Sequence, residues 1–278
     1  MVDHSDTGLG KDTAYADQYD AGLLFPIPRS KARGTVENEG AETGGLPFLG
    51  TDLWTAFEIS WLNPQGLPQV AIGEFTFPCT SDAIIESKSF KLYLNSFNQT
   101  QYPSMDDVQS LMQADISAAC GAEIEVQLYR VGDYNDIRPV AESPGNCIDQ
   151  RSVSIDTYQP DADFLQADSS TQVSETVYSH LLRTNCPVTD QPDWASIYIS
   201  YKGAQIDADG LLRYIVSFRQ YQDFHEQCVE KIFVDIMARC QPTELSIYGR
   251  YMRRGGLDIN PYRSTVNRSA NPFRQVRQ

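Results

Sequence analysis

The stretch SFNQTQ at residues 96–101 returns 121 positions later as SFRQYQ at residues 217–222. Around both stretches the apolar residues recur every three to four positions, and they match at the same shift. Matching apolar positions indicate a shared core rather than a shared site. The sequence therefore predicts one structural module that occurs twice. The matched pairs include Phe90 with Leu211, Tyr93 with Tyr214, Leu94 with Ile215, and Phe97 with Phe218.

The polar motifs, in contrast, differ between the two copies. ESKSFK at residues 86–91 belongs to the first copy alone, whereas Cys186 and FHE at residues 224–226 belong to the second. Since each copy carries polar groups that the other lacks, we expect one composite site that is built between the two halves.

Composition and charge limit the class of protein. The chain has 278 residues, which fits one large or two medium domains, and the repeat favours two. Of these residues, 41% are hydrophobic and 21% charged, as in ordinary globular proteins. Its net charge of −15 argues against general binding to nucleic acids or membrane surfaces. No apolar run approaches the ~20 residues of a membrane helix, and no signal pattern precedes the chain's first motifs. We therefore expect a cytoplasmic protein with reduced thiols.

A metal site is not expected from the metal-binding residue types. The six cysteines include no close pair, and the three histidines are widely scattered. Structural zinc sites usually need two cysteines separated by only two to four residues, roughly the Cys-x(2–4)-Cys spacing.

The carboxy-terminal residues are unusually basic. From Ser246 onward the chain has seven arginines and one acid, Asp258. A basic tail docked on an acidic surface would explain this distribution. Alternatively, some of these arginines contact an anionic ligand, because guanidinium groups match the geometry of phosphate.

The order of predicted elements is typical of an α+β fold with antiparallel sheets, because strand pairs precede helix pairs in both copies. We predict an amino-terminal arm at 1–50, a first module at 51–140, an acidic linker at 141–172 and a second module at 173–278. Predicted strands lie at 53–62, 70–77, 124–129, 175–184, 194–201 and 244–250. Predicted helices lie at 89–98, 104–119, 210–219 and 225–238, with Ser104 as an N-cap.

Cys186 is the candidate nucleophile. Pro187 favours an extended backbone at Cys186, close to the predicted end of a strand. Asp193 follows seven residues later, and a loop that folds back at Gln191 and Pro192 would bring its carboxyl group near the sulfur. The thiolate is the reactive form of cysteine, and a neighbouring acid can transfer the proton that its reaction needs. The alternative is a buried cysteine that acts only as a small hydrophobic residue.

The second candidate is the tripeptide Phe224-His225-Glu226. His225 aligns with the predicted cap Ser104, so that Glu226 occupies the first turn of a helix. The helix dipole favours an ionised carboxylate there, and such a carboxylate accepts two N–H bonds from a guanine-type edge. Phe224 could cover a flat ring, and His225 could bond its exocyclic groups. Alternatively, Glu226 is an ordinary acidic residue in the first turn of a helix and contacts no ligand.

The third candidate is the helix start that follows Glu86. Free backbone N–H groups near residues 87–89, together with Lys88 and Lys91, would form an anion site. The alternative is an ordinary capped helix with solvated lysines. Since the chain has no GxGxxG or Walker A sequence, a bound dinucleotide would not be held by a Rossmann fold.

The octapeptide ESKSFKLY at residues 86–93 resembles the signature of the 7-cyano-7-deazaguanine reductases, the nitrile reductases of queuosine biosynthesis. The order of this signature, Cys186, Asp193 and FHE resembles the long two-domain form of that family. The similarity extends to YDAGLLFPIPRS at 19–30 and RGGLDINPYRS at 254–264, and so covers essentially the whole chain.

This resemblance implies two tandem tunnelling-fold (T-fold) modules, each an antiparallel sheet with a helix pair layered on it, and a homodimer. It implies an oxidoreductase that uses two NADPH to convert the nitrile of 7-cyano-7-deazaguanine into the amine of 7-aminomethyl-7-deazaguanine. It assigns Cys186 as nucleophile, Asp193 as proton donor, Ile85, Glu86, Ser87, His225 and Glu226 to the substrate, and Ser87, Lys88, Arg254 and Gly255 to NADPH. We add Phe224 to the substrate residues, because it precedes His225 and could cover the ring.

Thiolate addition would give a covalent thioimide, a better hydride acceptor than the nitrile once its nitrogen is protonated. Three other functions share these residues. A thiol-dependent hydrolase would use Cys186 but would have no role for Lys88 and Arg254. A non-catalytic purine- or pterin-binding module would form no adduct. A structural protein whose duplication serves assembly would tolerate the loss of Cys186 and Asp193.

Overall fold

The computed structural model describes residues 15–31, 33 and 45–278. The predicted arm at residues 1–50 is therefore described in part, and the rest of it lies outside the described residues. Within the described part, strand β1 (Pro26–Pro28) pairs antiparallel with residues 83–85, directly before the ESKSFK motif. The amino-terminal segment thus packs against the first module.

The first module begins with two long strands joined by a tight turn. Strands β2 (Leu49–Leu62) and β3 (Pro68–Pro78) extend past the predicted apolar runs, because their ladder continues to both ends. Asn63 closes the turn by donating its N–H to the Leu67 carbonyl at 3.0 Å, and Gly66 supplies the required positive φ of 79°. The other elements are β4 (Ala83–Ile85), α1 (Ser87–Ser96), α2 (Met105–Cys120), β5 (Glu125–Arg130) and α3 (Val131–Ile137), the last of which the sequence analysis does not predict.

The second module repeats this order after residues that were predicted to be a linker. Strand β6 (Asn146–Cys147) and the start of β7 (Ala167–Asn185) both fall within 141–172, and β6 pairs parallel with β7. The division of the chain into modules stays a prediction. The remaining elements are β8 (Pro192–Ile206), α4 (Ala208–Ser217), α5 (His225–Cys240), β9 (Glu244–Tyr251) and β10 (Leu257–Ser264).

Eight strands form one sheet in the order β5-β3-β2-β10-β9-β8-β7-β6. All neighbours are antiparallel except β6 and β7. The predicted α+β class is confirmed, and the antiparallel strands expected in each module are joined edge to edge by β10. This strand pairs with β2 from Leu257 opposite Ala56 to Ser264 opposite Leu49, and with β9 at Tyr262–Ser264.

Strand β10 lies within the residues that were interpreted as a basic tail. That interpretation is wrong for residues 257–264, because they form an interior strand in which Asp258 and Arg263 are buried. Arg250 on β9 is buried as well. Several of the carboxy-terminal arginines are therefore structural, and they do not belong to a docked surface tail.

A buried ion-pair network lies where β10 joins the two halves. Arg263, which is fully buried, donates to Asp52 Oδ1 and to Glu230 Oε1, each at 2.7 Å. Asp52 also accepts from Arg29 at 2.6 Å, and Glu230 accepts from Arg33 at 2.9 Å. Charges are tolerated in an interior only when they are paired in this way. The network ties both modules to the amino-terminal segment.

The helix pairs preserve the repeat, with one correction. Helices α1 and α4 begin and end 121 residues apart, as the matched stretches predict. Helices α2 and α5 are 120 residues apart, because the connection at 218–224 is one residue shorter than the connection at 97–104. Phe224, and not His225, therefore takes the place of Ser104. Equivalent bonds from Tyr93 to Asp115 (2.7 Å) and from Tyr214 to Asp235 (2.5 Å) agree with the corrected shift.

Each helix pair covers the strands of its own module with a separate apolar core. The longest helices, α2 and α5, have 16 residues, and no helix in the part of the chain that the structure describes could span a membrane. Large buried side chains of the first core are Trp54, Phe75, Phe90 and Phe97, and those of the second are Tyr214, Phe218, Phe233 and Tyr251.

Candidate active site

A cavity of about 580 Å³, its open mouth included, lies between the two modules. Its walls come from β4 and the start of α1 on one side, and from the β7–β8 loop, the start of α5 and the β9–β10 turn on the other. Glu86, Lys88 and Gly255 lie beside these segments but do not line the cavity. The predicted site residues that line it are Ile85, Ser87, Cys186, Asp193, Phe224, His225, Glu226 and Arg254.

Cys186 follows the last residue of β7 and begins a tight loop. Its N–H donates to the Gln191 carbonyl at 2.9 Å, and its carbonyl accepts from the Asp190 N–H at 3.1 Å. Asp190 closes the loop at a φ of 57°, in the left-handed region. The chain folds back as the sequence predicts, so that Asp193 pairs with Thr184. Because Cys186 is only 8% exposed but lines the cavity, its thiol is shielded from solvent and within reach of a ligand.

Asp193 is held between two basic groups. Arg254 Nη1 lies 2.6 Å from its Oδ1, and His225 Nε2 lies 3.3 Å from its Oδ2. Burial raises the pKa of Asp193, but the hydrogen bonds and charges of His225 and Arg254 outweigh burial and hold this pKa below its usual value. The side chain is therefore a carboxylate at neutral pH, ready to accept a proton before it donates one.

The His225 ring is fixed by stacking. It lies parallel to the ring of Tyr251, with 3.7 Å between the centroids and 3° between the planes. Tyr251 is fully buried at the end of β9. While Nε2 faces Asp193, the buried Nδ1 has no hydrogen-bond partner among the residues that the structure describes. Leaving such an atom unpaired is unfavourable by about 1–3 kcal/mol, so Nδ1 is a candidate ligand contact.

Helix α5 begins without a side-chain cap, because Phe224 occupies the N-cap position. Glu226 in the first turn is 2% exposed, and its Oε1 has no partner within 15–31, 33 and 45–278. Burial, followed by the charge of Asp52, raises the pKa of Glu226 against the opposing charges of His225 and Arg29. Burial therefore acts against the ionised form of Glu226 that the helix dipole is expected to favour.

Glu86 caps α1 with its own carboxylate. Its Oε1 accepts from the Lys88 N–H and its Oε2 from the Ser89 N–H, both at 2.8 Å. These N–H groups were predicted to bind an anion. That prediction is wrong for them, because Glu86 already accepts their hydrogen bonds, and the capped-helix alternative holds. Asp207, which is 121 residues further along, caps α4 in the same way. The cap thus belongs to the scaffold that both copies share.

Two positive charges meet at the β9–β10 turn. Arg254 and Leu257 close this turn with reciprocal backbone bonds, and Gly255 and Gly256 take positive φ angles of 59° and 77°, as a type I′ turn requires. A Cβ on Gly255 would lie 3.4 Å from Cδ of Lys91, which packs against the turn. Burial, followed by the charge of Arg254, lowers the pKa of Lys91. Neighbouring cations of this kind fit an anionic group such as the phosphates of NADPH.

Sequence reasoning missed three residues of this region. Trp54 lines the cavity from β2, and its buried Nε1 has no partner among the described residues, but nothing in the strand pattern signals this. Tyr251 was missed because the stack depends on the register of β9. Asp223 also lines the cavity, and its position next to Phe224 could have identified it. Burial raises the pKa of Asp223 to about 6.

The arrangement combines a shielded thiol, a carboxylate that can exchange protons, unpaired polar atoms suited to a flat ring, and a cationic turn. It can add sulfur to an electrophilic carbon and move the associated protons. Among the described residues, no group of three or more Cys, His, Asp or Glu side chains could hold a metal ion.

Comparisons with known proteins identify the relatives of this chain. A family model described as nitrile reductase, 7-cyano-7-deazaguanine-reductase N-term, matches residues 15–128, and a model described as QueF-like protein matches residues 192–270. The chain is 53% identical over 260 residues to the NADPH-dependent 7-cyano-7-deazaguanine reductase of Burkholderia multivorans, with 93% of both chains covered. It is 54% identical over 262 residues to the protein of that name from Burkholderia orbicola, again with 93% of both covered. It is 52% identical over 262 residues to the protein of that name from Burkholderia vietnamiensis, with 94% of both chains covered.

Proposed function

Because the chain belongs to the 7-cyano-7-deazaguanine reductase family, we propose that Cys186 adds to the nitrile of 7-cyano-7-deazaguanine and so begins its reduction to 7-aminomethyl-7-deazaguanine. The chain is accordingly an NADPH-dependent oxidoreductase of queuosine biosynthesis. One observation supports the proposal most strongly. Cys186, Asp193 and Glu226 of the second module share a single cavity with Ile85 and Ser87 of the first.

Cys186 and Asp193 carry the covalent step. The Asp193 carboxylate takes the thiol proton, and the sulfur electron pair forms a bond to the nitrile carbon. One π pair of the nitrile moves to nitrogen, which then receives the proton from Asp193. The product is a covalent thioimide, whose carbon accepts hydride more readily than a nitrile carbon. Ion pairing with Arg254 supports this order, because it keeps Asp193 ionised at the start.

Glu226 and His225 recognise the polar edge of the deazaguanine, and Phe224 covers its face. The unpartnered Glu226 Oε1 and His225 Nδ1 support these roles, because ring N–H and carbonyl groups would supply the missing partners. Donors on the ligand would also favour the carboxylate of Glu226, whose pKa burial raises. A ring that lacks those donors should bind about 1–3 kcal/mol more weakly, since it would leave a buried acceptor unpaired.

The first module contributes the corner between β4 and α1. We assign Ile85, Glu86 and Ser87 to the deazaguanine, with the Glu86 cap fixing the backbone between its two cavity-lining neighbours. NADPH would supply the hydride chemistry, two equivalents for each nitrile, and exclusion of water from the cavity would protect the imine. The residues proposed to hold NADPH are Ser87, Lys88, Arg254 and Gly255.

The quaternary and fold-level proposals follow from the same family membership. We propose two T-fold modules in each chain, which the repeated helix pairs on one sheet support, and a homodimer in the cytoplasm.

The covalent step is tested by mass spectrometry of the intact protein with 7-cyano-7-deazaguanine and no reductant. The wild-type chain should gain the full mass of the nitrile, whereas Cys186→Ala should gain nothing and should lose turnover by more than about three orders of magnitude. Cys147→Ala is the matched control, because Cys147 is an exposed free thiol away from the cavity.

Each alternative function predicts a different result. A hydrolase would release amide or acid without loss of NADPH absorbance. A binding module would bind the nitrile without an adduct, and an assembly protein would not respond to Cys186→Ala in any of these assays. An adduct on the wild type together with NADPH oxidation excludes all three.

A further inference from the structure

Arg254 makes two contacts that a role in cofactor binding does not require. Its Nη1 lies 2.6 Å from Asp193 Oδ1, and its Nη2 donates to the Gln191 side-chain carbonyl. Gln191 ends the loop that begins at Cys186, and Asp193 lies at the start of β8, two residues later. The guanidinium group therefore bridges the β9–β10 turn to the candidate proton donor and to the loop that carries the candidate nucleophile.

The turn that carries Arg254 is built to hold this position. Gly255 and Gly256 have positive φ angles, and the Gly256 carbonyl accepts from the Phe57 N–H at 2.8 Å. A Cβ on Gly256 would lie 3.1 Å from Cγ of Glu58, so the turn is also closely packed on β2. Arg254 itself is 28% exposed at its side chain, whereas Asp193 is 3% exposed. A partly exposed cation is thus fixed against a buried anion.

Arg254 is one of two basic side chains in contact with Asp193, and both favour its ionised form. His225 approaches the other carboxylate oxygen at 3.3 Å, with its ring held by Tyr251. Opposite charges that lie this close stabilise the ionised form of a buried acid. The other titratable groups whose charges interact with Asp193 are Lys91, Cys228 and Tyr251, and Cys186 shares the same cavity wall.

We propose that Arg254 is a positioning residue for Asp193: it holds the side chain as a carboxylate and fixes it beside Cys186, so that the site starts with a base in place. This inference rests on the proposed function, because it assumes that Cys186 adds to a nitrile. It goes beyond that function, because Arg254 then acts in thiol addition, before any hydride is needed. Removal of Arg254 should therefore impair a reaction that contains no NADPH.

The proton balance of that reaction shows why the pairing matters. Adduct formation starts with transfer of the Cys186 thiol proton to Asp193, and it ends with transfer of that proton to the nitrile nitrogen. A protonated Asp193 cannot accept the first proton, so adduct formation slows below the pKa of Asp193. Without Arg254, fewer groups oppose the effect of burial, chiefly His225, and the pKa of Asp193 rises. The acid limb of the pH–rate profile should move upward with it.

The experiment measures the rate of cofactor-free adduct formation by intact mass, with 7-cyano-7-deazaguanine as the probe. The range runs from about pH 2.5, within the pH at which the protein stays folded, to about pH 9, because the acid limb of the wild type lies below the usual pKa of an aspartate. In Arg254→Gln and Arg254→Ala the acid limb should move up by about one pH unit, the size expected when one close opposite charge is removed. Arg254→Lys keeps the charge and should leave the limb within about a third of a unit of the wild type. Asp193→Asn should lose the limb, which assigns it to Asp193.

Arg253→Gln is the matched control, since Arg253 is the neighbouring arginine and lies over the Phe57 ring at 4.1 Å instead of in the cavity. Its acid limb should not move. An unmoved limb in a folded Arg254→Gln or Arg254→Ala variant would overturn the inference and would leave Arg254 as a cofactor contact only. The proposed function would survive that result, because it fails only when the wild type itself forms no adduct.

Discussion

The two copies of the module begin their second helices in different ways. Helix α2 starts with Ser104, whose hydroxyl accepts from the Asp107 N–H at 3.2 Å, and this cap is exposed. Helix α5 starts with Phe224, which makes no side-chain cap bond, and continues with His225 and Glu226 in the cavity wall. The second copy thus lacks a stabilising side-chain cap at the point where polar groups face the candidate site. We infer that local stability has been exchanged there for function.

The first helix of each pair, in contrast, keeps its side-chain cap in both copies. Glu86 caps α1 and Asp207 caps α4 at equivalent positions, each with bonds to two backbone N–H groups. A polar residue whose bonds recur in both copies serves the scaffold, even when it lies in a motif that suggests chemistry. A polar residue whose bonds are missing, such as Glu226, is the better candidate for function.

Glu226→Gln should have the largest effect, because it should weaken nitrile binding without lowering the stability of the fold. Glutamine keeps the size but cannot become a carboxylate, so nitrile affinity should fall about 100-fold, or about 3 kcal/mol for the loss of charged hydrogen bonds. The free energy of unfolding should stay the same or rise, since burial opposes the charge of Glu226. Calorimetric titration in a Cys186→Ala background measures the affinity without covalent reaction.

Asp207→Ala is the matched scaffold variant, because Asp207 is an exposed cap outside the cavity. It should lower the free energy of unfolding by about 1 kcal/mol and leave nitrile affinity unchanged. The distinction between the two helix starts would be lost if Glu226→Gln mainly destabilised the fold, or if Asp207→Ala weakened binding to a similar degree.

The sequence predicted the parts of the fold that depend on local periodicity. Helix pairs and most strands followed from apolar spacing, whereas β10 did not. Its sequence LDINPYRS contains Asp258, Pro261 and Arg263, and a proline argues against an interior strand. The β9 ladder begins only at Tyr262, so Pro261 lies just outside it. The buried charges of β10 are paired by residues such as Asp52 that are far away in the chain, and no local pattern reveals such partners.

The candidate site shows the same limit. The fold-back from Cys186 to Asp193 was predictable, because the two are seven residues apart and Pro187 restricts the backbone between them. The contact between Asp193 and Arg254 was not, because it depends on how β8 pairs with β9 and where the next turn then lies. Glu226 lines the cavity, but the effect of burial on its pKa was not predictable, because burial depends on neighbours from both modules.

The two copies should also differ in how their stability depends on pH. Asp223 in the second copy aligns, at the corrected shift of 120 residues, with Pro103 in the first, which has no titratable side chain. Burial raises the pKa of Asp223 to about 6 from an ordinary 3.8. The folded state therefore binds this proton more tightly than the unfolded state. The stability that Asp223 contributes is present below pH 4, falls as the pH rises towards 6, and is constant above that.

Asp223→Asn should remove this decline. Relative to the wild type, its free energy of unfolding should rise by about 2 kcal/mol between pH 4 and pH 7, less than the full shift because the side chain is partly exposed. Urea denaturation at both pH values measures the difference. Asp136→Asn, at an exposed position away from the cavity, should show no such trend. A parallel pH dependence in Asp223→Asn and the wild type would mean that Asp223 titrates alike in both states.

The smallest expected effect comes from restoring the missing cap. Phe224 already has the extended backbone of an N-cap, with φ −69° and ψ 157°, so a serine hydroxyl there could accept from the Gln227 N–H, as Ser104 accepts from Asp107. Phe224→Ser should therefore raise the free energy of unfolding by up to about 1 kcal/mol, and Ser104→Ala should lower it by a similar amount. Phe224→Ser should also raise the KM for the nitrile several-fold, because the ring no longer covers the substrate, whereas Ser104→Ala should leave turnover intact. A Phe224→Ser variant that is more stable than the wild type and equally active would contradict a functional reason for the missing cap.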